Sequence, residues 1–109
     1  MACEEQIDFF IGRPVIEVFN YLSKLPAIGG INVKYVDPVN YQLHLKVSMN
    51  LMTWGEDVII SFFDPQNGGT RIIAYSKPSL PTVLVDFGKN RKNVENIMKH
   101  ILSIYGVSI

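Results

Sequence analysis

The chain has 109 residues, with ten basic and ten acidic side chains, zero net charge, 48% hydrophobic and 18% charged residues. That composition belongs to one globular domain, residues 1–109, which buries roughly 65% of its unfolded surface and leaves no room for a second domain or a large internal cavity. The balanced charge supplies no global field for nucleic acid or an anionic membrane, and no apolar run approaches membrane-spanning length.

Met1-Ala2-Cys3-Glu4-Glu5-Gln6 is acidic and is not followed by the apolar stretch of a secretory signal. The single cysteine, Cys3, has no partner for an internal disulfide and fits a reducing compartment, so the expected location is cytoplasmic. The first strand is expected over residues 6–11, where Ile7, Phe9 and Ile11 alternate with Gln6, Asp8 and Phe10. Gly12-Arg13-Pro14 breaks it, and the proline is placed in the first turn of a helix, where a missing N–H costs nothing. Val15, Val18, Phe19, Leu22 and Leu25 form the inward stripe of that helix, and Pro26 with Gly29-Gly30 ends it.

A second strand is expected over residues 31–36, with Ile31, Val33 and Tyr35 on one face, running into the turn Asp37-Pro38-Val39-Asn40. The third, over residues 41–49, alternates most clearly. Tyr41, Leu43, Leu45, Val47 and Met49 point to the core, while His44 and Lys46 face water. A fourth strand over residues 58–63 is apolar on both faces apart from Ser61, which predicts a central or covered position. Asp64-Pro65-Gln66-Asn67-Gly68-Gly69 reads as a hairpin loop and residues 70–76 as the fifth strand. Residues 77–82 are too proline-rich for a central strand and read as an ordered loop; residues 83–87 read as a short sixth strand or an extended approach to the last helix. In that helix Val94, Ile97, Met98, Ile101, Leu102 and Tyr105 recur in steps of three and four, drawing a stripe that needs a sheet beneath it. The inward set on the sheet is expected to be Ile7, Phe9, Val33, Tyr35, Leu43, Leu45, Val47, Val58, Ile60, Ile72 and Ala74. The fold class is α+β: strand, helix, an antiparallel meander of four to five strands, and a C-terminal helix.

Two segments carry a family resemblance. Phe9-Phe10-Ile11-Gly12-Arg13-Pro14-Val15-Ile16-Glu17-Val18-Phe19-Asn20-Tyr21-Leu22 is similar to the strand, proline and E-V-F helix that open Bet v 1-like domains. Trp54-Gly55-Glu56 together with Asp86-Phe87-Gly88-Lys89-Asn90-x-x-Asn93 resembles a small bacterial domain of unknown function that pairs a W-G-E strand opening with a D-(W/F)-G-K-N-x-x-N helix opening. The resemblance spans most of the chain. It implies a helix-grip fold of the TATA-binding-protein-like and Bet v 1-like (START-related) group, and it carries no activity with it. The closing helix, at about 16 to 18 residues, and the reduced sheet imply a smaller cavity than the larger Bet v 1-like proteins have.

Lys89, Arg91 and Lys92 crowd the start of the last helix, where the macrodipole disfavours cations by roughly 0.3 to 1 kcal/mol each. Two readings stand. Either the cations are solvated or neutralised by Glu56, Asp57, Asp86 and Glu95, or the N–H groups after Gly88, with Lys89 and Asn90, bind an anion. Glu56 either pairs with Lys89 or acts as an acid or base beside Trp54, and pairing is expected because a lone carboxylate without a His, a second carboxylate or a metal set rarely makes an active site; Asp86, Asn90 and Asn93 are candidate helix caps. Trp54 serves either as a plug at a sheet edge or as a ligand platform. The candidate ligand residues are therefore Trp54, Glu56, Lys89, Asn90 and Asn93. Neither His44 nor His100 falls in a metal-ligand spacing, Asp86-Phe87-Gly88 lacks the partners of the kinase D-F-G, and no catalytic residue, metal or cofactor is expected.

Ile59, Phe63, Ile73 and Tyr75 fall on the outward faces of neighbouring strands, which leaves an apolar patch to be covered either by a second copy or by the loop around Leu80. The leading functional reading is a non-enzymatic module that binds a small apolar or anionic ligand between sheet and C-terminal helix, without nucleic-acid or membrane partners. The alternative is an interaction protein that forms a homo-oligomer through the sheet face. The resemblance alone adds a third reading, a polyketide-cyclase-like enzyme, which would need several charged groups converging inside the grip.

Overall fold

The computed structural model describes residues 4–48, 55–80 and 88–107. The elements are β1 (Glu5–Ile11), α1 (Val15–Ser23), β2 (Ala27–Ile28), β3 (Ile31–Asp37), β4 (Gln42–Val47), β5 (Glu56–Phe63), β6 (Thr70–Pro78) and α2 (Lys89–Ile104). Trp54, Asp86, Met49 and the expected strand over residues 83–87 lie outside the described residues.

All six strands join one antiparallel sheet in the order β1-β6-β5-β4-β3-β2. The chain meanders from β2 to β6 through short connections, while the crossover carrying α1 sends β1 to the far side of β6. Alternation fixes the register: Val58, Ile60 and Phe62 of β5, Ile72 and Ala74 of β6, and Leu43 and Leu45 of β4 all turn to one face and are buried there. Val18, Phe19 and Leu22 of α1 and Val94, Ile97, Ile101 and Leu102 of α2 close over that face in one continuous core. The stripe read from the sequence of α2 is therefore the buried one, with Met98 and Tyr105 packed at its margin. Phe19 sets its ring edge-on against Tyr41 at 5.1 Å and Phe62 at 5.3 Å, tying α1 to the middle of the sheet.

Several expectations need correction. Pro14 is the N-cap of α1, with extended dihedrals, rather than a residue of its first turn. The two-residue β2 turns back on β3 through Gly29-Gly30, giving a further strand where only the end of the first helix was expected. β6 runs on to Pro78, which is compatible with a proline because it lies past the pairing with β1, which ends at Glu5 opposite Ser76, so its nitrogen faces an edge. Tyr35 is not in the core but 57% exposed. A register shift between Val33 and Tyr35 inserts Lys34 as an extra residue, so Tyr35 stands opposite His44 on the outer face and Val36 opposite Leu43 on the inner one. The turn after β3 is as read: the Asp37 carboxylate accepts from the Asn40 side chain and from the Asn40 and Val39 backbone N–H groups, and these bonds, the Asn40 side chain's first, hold its pKa below the usual carboxylate value.

Candidate functional site

At one end of the grip the first turns of α2 lie against the start of β5 and the end of β6, with β1 alongside. Period-two alternation carries Glu56 and Ser76 inward beside Val58 and Ala74, and the helical period places Asn90 and Asn93 on the stripe of Val94 and Ile97. All four are buried, Glu56 being 1% and Asn93 8% exposed. The Asn93 amide donates to Glu56 Oε1 at 3.1 Å and to Ser76 Oγ at 3.2 Å, and Ser76 in turn donates to Asn90 Oδ1 at 2.6 Å. A chain of directed bonds thus replaces apolar contact under the first turns of the helix. A carboxylate held near a helix N-terminus is also favoured by the macrodipole.

This arrangement corrects two expectations. Asn90 and Asn93 do not cap the helix; they face the sheet, and Gly88 takes the N-cap position with φ 76°. Among the described residues Glu56 makes no ion pair with Lys89; its Oε1 accepts from the Asn93 amide instead. The clustered cations divide into two groups. Arg91 is neutralised by Glu95 at 3.2 Å and Glu5 at 3.6 Å, whereas Lys89 and Lys92 have no ion-pair partner among the described residues. Glu95 was legible from its i,i+4 spacing to Arg91. Glu5 was not, because only the position of β1 beside α2 brings it there.

Above the buried network lies an open cleft of about 430 Å³. Lys89, Lys92, Asn93 and Asn96 of α2 form one wall, the Gly29-Gly30 turn with Ile31 and Asn32 the opposite one, and Lys46, Val47 and Ser48 the floor at the end of β4. Of the five sequence candidates, Lys89 and Asn93 line the cleft, Glu56 and Asn90 lie in the network below it, and Trp54 is outside the described residues. The glycine turn was missed as part of the site. It is fixed against α2 by a bond from the Gly29 N–H to Nδ1 of His100 at 2.8 Å. His100 therefore has a structural partner 71 positions away, which no local pattern reveals.

The outer face of the sheet carries Ile59, Ile73 and Tyr75, half-buried, and Phe63, 46% exposed. No described helix lies over these residues, both helices being packed on the inner face. Leu80 is itself 38% exposed. Among the described residues no group of three or more His, Cys, Asp or Glu is placed to hold a metal ion, and no helix is long and apolar enough to cross a membrane.

No family model matches the chain, and no curated protein matches it. Solved structures do. A START superfamily protein from Mycobacterium smegmatis superimposes with a TM-score of 0.60 at 10% identity, over 92% of each chain. TTHA0849 from Thermus thermophilus gives 0.56 at 13% identity, over 93% of this chain and 98% of that one. Ara h 8.0201 gives 0.54 at 10%, over 94% and 99%. This is the helix-grip fold. At such identities the likeness shows the Bet v 1-like architecture and nothing of the chemistry. In the helix-grip frame α2 is the gripped helix, and the cleft lies where its N-terminus meets the sheet.

Proposed function

We propose that this helix-grip domain is a small non-enzymatic binding module that takes a small anion, or the anionic end of a small ligand, in the cleft between the Gly29-Gly30 turn and the start of α2. The observation that carries this reading is the convergence of Lys89 and Lys92, without ion-pair partners among the described residues, with Asn96 on one space of about 430 Å³, while the Asn93 amide is already committed to Glu56 and Ser76 beneath it. That volume is in the range of small-ligand sites, about 300–1,000 Å³. Two cations left near a helix N-terminus are unfavourable until a negative charge joins them, and an anion there also meets the positive end of the macrodipole. An apolar ligand is less well served, because Val94, Ile97 and Ile101 are fully buried against the sheet. Among the described residues the buried charged group of the grip is Glu56, which accepts from the neutral Asn93 amide, whereas an acid–base enzyme would assemble several charged groups. The single cysteine supports a reducing, cytoplasmic setting.

Thermal unfolding with and without inorganic phosphate tests the reading. At tenfold excess over Kd a bound anion adds about 1.4 kcal/mol, which for a domain of this size raises Tm by roughly 5–10 °C. Lys89→Ala is expected to abolish that rise, and an unchanged rise removes Lys89 from the site. The second reading, a homodimer through Ile59, Phe63, Ile73 and Tyr75, is favoured by the absence of any described helix over that face. Light scattering across a dilution series checks it: a monomer at all concentrations ends it.

A further inference from the structure

A second depression, of about 420 Å³, lies on the outer face of the sheet and is lined by Lys34, His44, Lys46, Asp57, Ile59 and Lys77 with the backbone of Leu45 and Val58. Its layout follows from register. Lys46, Asp57 and Lys77 stand directly opposite one another across β4, β5 and β6, forming a charged row. Two residues further along the strands, about 6.6 Å away, Tyr35, His44, Ile59 and Tyr75 form a second row, of three rings and one aliphatic side chain. The extra residue of the β3 register shift, Lys34, adds another ammonium group beside His44.

The charges are not balanced. Asp57 is taken by Lys46 at 3.0 Å, and Ser79 also contacts that lysine. Lys34 and Lys77 have no ion-pair partner among the described residues, in a chain whose net charge is zero. The ring row is open as well: Tyr35 is 57% exposed and sits edge-on to His44 with centroids 5.5 Å apart. A purely apolar partner would strand the two ammonium groups without water or counter-charge. A metal would find lysines where it needs carboxylates. The complement of these two rows is a flat ring that stacks over Ile59 beside His44 and Tyr35, joined to a doubly negative group that reaches Lys34 and Lys77.

We propose that the outer groove binds a planar ring bearing a phosphate, the chemistry of a nucleotide. This site shares only Lys46 with the cleft, so it stands or falls independently of the cleft reading. The same chemistry has two sources, a free mononucleotide and a nucleotide within a single strand. Local charge and stacking would support such contacts without a basic molecule overall, with an affinity that falls with salt.

The test is a backbone amide NMR titration of the full chain with adenosine monophosphate, with a short oligothymidylate, and with adenosine and inorganic phosphate separately. The amides of Lys34, His44, Lys46, Asp57, Ile59 and Lys77 are expected to move saturably with adenosine monophosphate, and at least about tenfold more weakly with either half. Tighter binding of the oligothymidylate identifies a strand as the source, and tighter binding of the mononucleotide identifies the free ligand. The double variant Lys34→Ala/Lys77→Ala, altering two exposed side chains, is expected to keep the wild-type Tm and lose about tenfold or more in affinity. The proposal is overturned by no response to either nucleotide probe, by a response confined to Gly29–Asn32 and Gly88–Asn96, or by full affinity in the double variant. It is equally overturned if the groove amides move with protein concentration instead, which would mean that a second copy covers the face.

Discussion

Replacing Gly29 by alanine tests how the glycine turn is seated on α2. Gly29 has φ +60°, and a Cβ added there would lie 2.8 Å from the Ile97 nitrogen, 2.9 Å from the Asn96 carbonyl carbon and 3.0 Å from its oxygen. These are backbone atoms of a helix packed on the core, so they cannot swing aside as a flexible side chain would. Gly30 has φ +80° but meets nothing within 4 Å of its added Cβ, so it supplies the control. The left-handed backbone alone costs a non-glycine residue about 1–2 kcal/mol, which is the whole expected effect of Gly30→Ala. Forcing the methyl group of Gly29→Ala against the helix adds about 1–3 kcal/mol of overpacking, for a total of roughly 2–5 kcal/mol. Urea unfolding of the two variants under identical conditions measures the difference. An additional loss of at least about 1 kcal/mol in Gly29→Ala is expected. Equal midpoints with equal slopes would refute the close seating of the turn, and with it the wall that the turn gives the cleft.

Other side chains give sharp expectations. Glu56→Ala removes one of the two acceptors of the buried Asn93 amide, leaving only Ser76, and should cost about 1–3 kcal/mol in denaturant unfolding. Glu56→Gln, which keeps an oxygen acceptor, should cost less, and equal losses would contradict the role given to that bond. The Tyr105 hydroxyl is buried without a hydrogen-bond partner among the described residues, so Tyr105→Phe should be neutral or stabilising by up to about 1 kcal/mol; a clear loss of stability would show that the hydroxyl is engaged. Bonding to Arg71 holds the Asp8 carboxyl below its usual value. Because the folded pKa lies below the unfolded one of about 3.9, the pair stabilises the protein above that pH, and the contribution disappears as pH falls through the folded value. Asp8→Asn should therefore lower Tm at neutral pH and flatten its decline below about pH 4; an unchanged acid limb would argue against the pair.

The core was readable wherever side-chain period and strand register agree. Leu43, Leu45, Val58, Ile60, Ile72 and Ala74 alternate without interruption, and all are buried as expected. Tyr35 fails because one inserted residue, Lys34, reverses the phase of everything after it, and a Val-Lys-Tyr-Val run does not disclose which residue is the extra one. β2 was missed because two residues carry no period. In the site, Glu56 continues the inward series 56, 58, 60, 62, Ser76 continues 72, 74, 76, and Asn90 and Asn93 precede Val94 and Ile97 on one helical stripe. The polar network was thus implicit in the same periods that gave the core, but the extra polarity made those positions look like surface. Lys46, Lys92 and the Gly29-Gly30 turn meet at the cleft only through the pairing of β3 with β4 and the docking of α2. No local spacing specifies that encounter.

Whether the cleft at the start of α2 receives an anion is decided by a backbone amide NMR titration with inorganic phosphate. Saturable shifts are expected at Gly29, Gly30, Lys89, Lys92, Asn93 and Asn96, absent in the double variant Lys89→Ala/Lys92→Ala. Amides that stay still at these positions, or that move as strongly in the double variant, would contradict anion binding there.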